Sequence, residues 1–189
     1  MRVIAGTHRG RHLRGPQGLT LRPTSDRVRE ALFSILGNRL PHSRFLDLYA
    51  GTGAVGIEAL SRGAIHVTSV ESSAESLQLL RRNVSECRMA HQMTIHAQTV
   101  KQFLCRPDQW SGPYDIVFAD PPYALVQELA ELFNDVAIHH VLADDSWVVV
   151  EHSAKTTLPT HLARNPFLHR YSYGDTALSI FSSSEAAPP

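Results

Sequence analysis

Two cysteines in 189 residues, Cys87 and Cys105, are too few for a disulfide framework, and without C-x-x-C spacing they make no thiolate metal site. No uninterrupted apolar run approaches the ~20 residues that a membrane-spanning helix needs. The opening MRVIAGTHRGRHLRG is polar and basic, without an apolar signal region. A soluble, cytoplasmic protein with free thiols is expected. The eleven histidines are scattered, and the adjacent His139 and His140 would diverge on a helix, so no metal site is expected either. Internal repeats, long linkers and net charge are missing too. What is present, 43% hydrophobic and 19% charged residues, is enough for one well-buried core and short for two.

The zero net charge hides an asymmetry. Residues 1 to 39 carry eight arginines, at positions 2, 9, 11, 14, 22, 27, 29 and 39, against Asp26 and Glu30. That is a surplus of six positive charges, which the remainder cancels. An arm whose positive charge is all arginine suits forked contacts to phosphate, and nucleic acid is favoured over a solvated surface with a chance skew. RVIAG and RHLRG around THRG can pair as a hairpin. Gly15, Pro16 and Gly18 then break the chain. After Pro23, the residues Thr24, Ser25 and Asp26 supply helix-start chemistry, and Val28, Leu32, Ile35 and Leu36 form one apolar stripe. A helix over about 25 to 36, ending at Gly37, buries that stripe and keeps Arg27 and Arg29 off it.

From Arg44 the text alternates short apolar runs with helical patterns: FLDLY then AVGIEALSRG, HVTSVE then AESLQLLRRNVSEC, MTIHA then TVKQFLC, YDIVFA then VQELAELFNDVAIHHVL, and finally WVVVEH. Such alternation implies an α/β, Rossmann-like fold of parallel strands with crossover helices. FLHRYSYGDTALSIF reads as two strands turning at Tyr173, Gly174 and Asp175, an antiparallel hairpin that finishes a seven-stranded, mostly parallel sheet. The expected organisation is a basic hairpin and helix over residues 1–39, a catalytic domain over 40–182 and a disordered tail over 183–189.

LDLYAGTGAVG, at the end of the first strand, contains the G-x-G-x-x-G spacing of dinucleotide sites. Gly51 and Gly53 permit positive φ and close backbone approach, and Gly56 lets the helix pack on the sheet. The spacing alone is weak, and charge separates the candidates. Asp47 would repel a pyrophosphate but attract a ligand with an ammonium and a sulfonium, such as S-adenosylmethionine. Glu71, ending the second strand, can accept from both ribose hydroxyls, a role that serves NAD and adenosylmethionine alike.

YDIVFADPPY, from Tyr114 to Tyr123, places Asp120, Pro121, Pro122 and Tyr123 at the same edge of the sheet as the glycine loop. Two prolines stiffen that turn before substrate arrives. An exocyclic amine on a base is a poor nucleophile because its lone pair is delocalised into the ring. If the Asp120 carboxylate and the Pro121 carbonyl grip its two hydrogens, the lone pair can turn toward an incoming methyl group. Tyr123 can stack on the base, a contact worth ~1 to 3 kcal/mol. A cysteine nucleophile is disfavoured, since neither Cys87 nor Cys105 falls at a strand-end turn.

At these residues the sequence resembles the class I adenosylmethionine-dependent methyltransferases with an amino-methylating D-P-P-Y motif. More closely it resembles the bacterial small-subunit methyltransferase D family, which methylates N2 of a guanine in 16S ribosomal RNA. RVIAGTHRGRHL, RPTSDRVREALFSIL, DLYAGTGAVGIEALSRGA, VTSVE, FADPPY and YGDTALSIF carry that likeness over nearly the whole chain. The resemblance implies S-adenosyl-L-methionine held by Asp47, Gly51, Gly53, Glu71, Ser72 and Asp120, with Asp120 to Tyr123 as the catalytic turn. Arg9, Arg11, Arg22 and Arg27 become candidate RNA contacts, and Thr24 to Asp26 can close over the methionine end of the cofactor. In the family an acidic residue often meets the adenine amine after the third strand. Gln98 stands there in this chain, and its amide oxygen or a backbone group could serve. The expected partner is 16S RNA, free or in a partly assembled small subunit, and the expected state is a monomer. An adenine-N6 methyltransferase of DNA, an NAD-dependent oxidoreductase and a non-catalytic RNA-binding protein are the alternatives.

Overall fold

The alternation of apolar runs and helical patterns folds into one sheet covered on both faces. The computed structural model describes residues 1–15 and 26–183, so Arg22, Thr24, Ser25 and most of the expected tail lie outside the described residues. Helix α1 (Asp26–Leu36) precedes strand β1 (Arg44–Leu48). Then α2 (Ala54–Ser61), β2 (His66–Glu71), α3 (Ala74–Glu86), β3 (Met93–Ala97), α4 (Val100–Leu104), β4 (Tyr114–Ala119), α5 (Val126–Phe133) and β5 (Leu142–Ser153) alternate. Strands β6 (His161–Leu162), β7 (Asn165–Tyr173) and β8 (Thr176–Ser182) close the chain. The order across the sheet is β3-β2-β1-β4-β5-β8-β7-β6. β1 to β5 pair in parallel, and β8 lies antiparallel between β5 and β7. The seven expected strands are all present, joined by a two-residue eighth, β6, at the edge.

Because β1, β4 and the second half of β5 are buried on both faces, their sequences are largely apolar without alternation. One face sets Phe45, Ile116, Phe118 and Val149 against apolar residues of α1, α2 and α3. The other sets Leu46, Val117, Val148 and Val150 against α4 and α5. Local chemistry fixes the helix starts. Ser73 accepts from the Ser76 amide at 3.3 Å, and Thr99 and Gln102 form a reciprocal capping box. The pattern from Val126 to Leu142 predicts one long helix, but α5 ends at Phe133 and a 3-10 stretch, Val136–Val141, follows. Asn134 and Asp135, both weak helix formers, sit at the break.

The N-terminal runs do pair. Arg2 bridges His12, the Val3 amide donates to the Arg11 carbonyl and the Gly10 amide to the Val3 carbonyl, each at 2.9 Å. The buried Glu58 of α2 docks this hairpin by accepting from the Ile4 and Ala5 amides at 2.7 and 2.9 Å. One expectation is overturned here: Arg29 is not held off the buried stripe of α1 but is completely buried. Its Nη2 donates to the Arg2 carbonyl at 2.6 Å and to Asp26 at 3.0 Å, and its Nε lies 4.0 Å from the Glu58 carboxylate. A helical pattern cannot reveal this, because beside Asp26 on its own helix the other two partners, the Arg2 carbonyl and Glu58, come from distant elements. Arg27, as expected, is exposed.

Candidate functional site

The chain leaves β1, builds β2 and β3 outward on one side, and returns to place β4 on the other side of β1. This switch point opens a crevice beyond the carboxyl ends of β1 and β4. A cavity of about 810 Å³ fills it, within the range of small-molecule sites. Asp47, Gly51, Glu71, Ser72 and Gln98 line one end, and Asp120, Pro121 and Pro122 line the other. The two motifs separated by some seventy residues in the chain therefore share one chamber.

At the first end the glycine loop is built around two carboxylates. Gly51 and Gly53 take φ of +54° and +79°, so the loop needs the freedom that glycine provides. Gly56 is tight: a Cβ there would lie 2.9 Å from Val67 and 3.2 Å from an Asp47 oxygen. Asp47, 1% exposed, accepts from the Gly56 amide at 3.1 Å. Burial pushes its carboxyl up to about 8, the Gly56 amide opposes the shift, and the negative charges of Asp120 and Glu71 reinforce it. Glu71 accepts from three backbone amides, Gly51 at 2.7 Å, Ser72 at 2.8 Å and Ser73 at 2.7 Å. It therefore ties the glycine loop to the start of α3. Gln98 donates from its side-chain nitrogen to Gln109 at 2.7 Å, which fixes the amide and leaves its carbonyl oxygen as the acceptor.

At the second end Asp120 follows β4 directly, and its amide donates to the Leu48 carbonyl at 3.4 Å. Tyr123 opens a 3-10 turn, Tyr123–Leu125, closed by the Leu125 amide on the Pro122 carbonyl at 2.7 Å. The Tyr123 side chain lies outside the described part of the structure. Sequence reasoning missed several lining residues: Tyr49, Glu151, His152 and Thr176. Glu151 and His152 end WVVVEH, so the strand-end rule that found Asp120 also points to them. Thr176 reaches the cavity only because β8 folds back antiparallel on β5. Tyr49 takes φ +61°, rare for a non-glycine residue, and its hydroxyl is pushed up to about 12 by burial and then by Glu128. His152 is 1% exposed and both its ring nitrogens are engaged, Nδ1 with the Ser153 carbonyl and Nε2 with the Ser179 hydroxyl, each at 2.8 Å. A carbonyl can only accept, so Nδ1 carries the proton and Nε2 accepts from Ser179. Burial lowers the pKa of this imidazole, which keeps it neutral.

Charge decides what ligand the chamber fits. Asp47, Glu71, Asp120, Glu128 and Glu151 all line it, Lys101 is the lysine among the described lining residues, and none of them is an arginine. A pyrophosphate would meet four carboxylates beside Asp47, whose raised carboxyl is largely protonated at neutral pH, whereas a ligand carrying positive charge would relieve the repulsion among them and favour ionised Asp47. The glycine loop thus serves a nucleoside ligand of cationic character, which excludes the dinucleotide reading on electrostatic grounds.

The arginine arm divides. Arg9 and Arg27 are exposed, while Arg11 donates to the Glu86 carbonyl and Arg14 pairs with the Glu86 carboxylate at 2.9 Å. Asn83 accepts from the Arg14 amide at 2.8 Å and donates to the Thr52 carbonyl at 2.9 Å, so the arm touches the glycine loop through one side chain. Arg27 acts electrostatically on the Tyr173 hydroxyl, and Tyr173 pairs with the cavity-lining Thr176. Cys87 is buried and Cys105 exposed, each just past a helix and away from the chamber. Among the described residues no helix is long and apolar enough to cross a membrane.

The family model described as "Conserved hypothetical protein 95" matches residues 1–182. The "Ribosomal RNA small subunit methyltransferase D" of Escherichia coli strain K12 is 37% identical over 172 residues, covering 90% of this chain and 83% of that protein. A solved hypothetical protein of Thermus thermophilus is 32% identical, covers 95% of this chain and 98% of its own, and superposes with a TM-score of 0.79. A Salinibacter ruber RNA methyltransferase, solved with S-adenosyl-L-homocysteine, is 15% identical with a TM-score of 0.62, over 88% and 97% of the two chains. That last likeness is one of fold alone.

Proposed function

We propose, because the chain belongs to the conserved hypothetical protein 95 family, that it transfers a methyl group to the exocyclic N2 amine of a guanine in 16S ribosomal RNA. It is a class I methyltransferase that uses S-adenosyl-L-methionine and acts on ribosomal RNA. The observation that carries the finer reading is the shared chamber, in which an acidic glycine-loop end faces the Asp120-Pro121-Pro122 turn.

Bound S-adenosylmethionine supplies an electrophilic methyl group on a positively charged sulfur. Asp47 and the Gly51 to Gly53 backbone hold its charged end, Glu71 and Ser72 its ribose, and Gln98 its adenine. Glu71 already accepts three amide hydrogens, two on Oε1 and one on Oε2, which aim its carboxylate and leave one lone-pair direction on Oε2 for a ribose hydroxyl. At the other end the Asp120 carboxylate and the Pro121 carbonyl accept the two amine hydrogens of the base, and Tyr123 stacks on the ring. The prolines hold those acceptors in place in advance, so most of the rate enhancement comes from orientation. With S-adenosylmethionine bound, the methyl–sulfur bond would break as the N–C bond forms, the sulfur would leave as the neutral thioether of S-adenosylhomocysteine, and Asp120 would pass the proton lost by the nitrogen to water. His152 takes no part in that transfer, because both of its nitrogens are bonded within the fold. Arg9, Arg11, Arg22 and Arg27 contact RNA phosphates. Their burden is positioning, and the base enters from an unpaired segment or is flipped out of a stem.

The test is methylation by labelled S-adenosylmethionine of 16S RNA, free and in small-subunit particles from cells lacking the protein, and of DNA, followed by nucleotide mapping. Label on guanine N2 in RNA is expected. Label confined to DNA adenine N6, or tight NADH binding with none for S-adenosylmethionine, overturns the reading.

A further inference from the structure

Among the four bases, the guanine amine differs from the amines of adenine and cytosine in its neighbour. On its Watson–Crick side guanine N2 lies beside N1–H, a donor, whereas adenine N6 and cytosine N4 each lie there beside a ring nitrogen that accepts. A site that takes guanine therefore gains from a second acceptor next to the group gripping the amine.

The fold places one there. Ala119 of β4 pairs in parallel with Val150 of β5, so the next residues, Asp120 and Glu151, leave the paired register side by side. Neighbouring strands run ~4.8 Å apart, a separation across which two carboxylate side chains can converge on adjacent donors of one base edge. Both residues have the parity of Phe118 and Val149, which face the same core cluster, so they share one face of the sheet. Both line the cavity. Glu151 is 9% exposed and is anchored by its own strand, which pairs with β8 through Leu178. Behind it, His152 is pinned by Ser153 and Ser179, so the end of β5 is held as firmly as the proline turn.

We propose that Glu151 is a specificity-determining residue that accepts the N1–H of the target guanine while Asp120 holds the neighbouring amine. Adenine or cytosine in the same pose would set a ring lone pair against the carboxylate, a repulsive contact that rejects them. This assignment rests on the N2 reading above and supplies a base-selection step that the D-P-P-Y turn, which suits any planar amine, does not provide.

The experiment is a double-mutant cycle between residue and base. 16S RNA is assembled by ligation with either guanine or 2,6-diaminopurine at the mapped position. Diaminopurine keeps the 2-amine but carries an accepting N1. Wild type and E151Q are compared on both, and calorimetry with S-adenosylhomocysteine confirms an intact cofactor end. For wild type, kcat/KM on diaminopurine is expected to fall at least about tenfold below guanine, the scale of one charge-assisted hydrogen bond. For E151Q, guanine loses about tenfold or more while diaminopurine holds or gains, because the repelling carboxylate is gone and the amide nitrogen can donate to its N1. Equal losses on both bases, or an unchanged guanine preference, overturn the assignment. If wild type methylates neither base at the 2-amine, it is the N2 reading that fails.

Discussion

The two ends of the chamber are built by different means. The cofactor end is centred on one stretch, residues 47 to 73, joined by Gln98, and in that stretch carboxylates and backbone amides satisfy each other: Asp47 with Gly56, Glu71 with Gly51, Ser72 and Ser73. The acceptor end is assembled from β4, β5 and β8, and its lining residues are spread over more than fifty positions, from Asp120 to Thr176. Contiguity makes the first end a motif that can be read directly. Register makes the second end visible only once the strands are paired. The first end should accordingly govern ligand affinity and the second the chemical step, a division that substitutions can break.

The largest effect is expected from Asp120→Ala. If the acceptor end acts only on the amine, methyl transfer should fall by at least about a thousandfold, on the scale of losing a preorganised polar group at the reacting centre. S-adenosylhomocysteine affinity should change less than about threefold if, as proposed, Asp120 grips the amine while Asp47, Glu71 and the glycine loop hold the cofactor. Single-turnover methylation and calorimetry separate the two. A parallel loss of affinity would mean that the ends are one site, and a biological effect that survives the change would mean a non-catalytic RNA-binding role.

Asp47→Asn should do the reverse. Loss of a carboxylate that meets a cation costs roughly 10- to 100-fold in cofactor affinity, read by calorimetry, with a smaller effect on the rate at saturating cofactor. The pH dependence has a defined sign. In the folded protein the carboxyl sits near 8, against an ordinary value of 3.8, so between these values the folded state binds more protons than the unfolded one. Stability of the ligand-free protein therefore falls as pH rises from about 4 to about 8, with a slope approaching ~1.4 kcal/mol per pH unit from this group. The asparagine variant should lose that slope and unfold at higher denaturant at pH 7. Wild-type cofactor affinity should rise with pH through 8, as the carboxylate that attracts the cation becomes populated, and the variant's should not.

How much of the molecule was legible follows the same division. Strand and helix order could be read because buried parallel strands are apolar throughout, and the switch-point crevice then follows from the order of the runs. Asp47, the glycines, Glu71 and Asp120 to Pro122 could be placed because each lies at a strand end. Glu151 obeys the same rule at the end of WVVVEH, yet nothing local distinguishes it from the carboxylates of the surface. Its partner Asp120 is adjacent only through the β4 and β5 register. Arg29 was unreadable for a related reason. A lone arginine on a helix is ordinarily solvated, and only the hairpin carbonyl of Arg2 and the buried Glu58 of α2 turn it inward.

Gly53→Ala probes the cofactor end through its backbone. Gly53 holds φ at +79°, and an added Cβ would stand 3.0 Å from Leu80 Cγ, a flexible side chain that can yield. The left-handed conformation itself costs an L-residue about 1 to 2 kcal/mol, which should appear as lost stability in denaturant unfolding. Cofactor affinity should fall several-fold while the rate at saturation holds. A larger drop in rate than in affinity would show that the loop also sets the acceptor end, through the Asn83 link between Thr52 and the arm.

The smallest effect separates two arginines that look equivalent in the sequence. Arg9 is exposed, whereas Arg11 already donates to the Glu86 carbonyl and so has less freedom to follow a phosphate. Neutralising one phosphate contact lowers the dependence of log K on log salt by about 0.7 to 0.9. Arg9→Gln should produce a change of that size in RNA affinity measured across a salt series, with kcat at saturating RNA unaltered, because a phosphate contact positions the strand without touching the base. Arg11→Gln should change the slope by less and should instead loosen the hairpin from α3, seen as faster amide exchange at its neighbours. Equal slopes for the two variants would mean that Arg11 leaves Glu86 when RNA binds. The arm would then rearrange on its substrate, while the chamber beneath it is held by glycine-loop amides and strand register in the free protein.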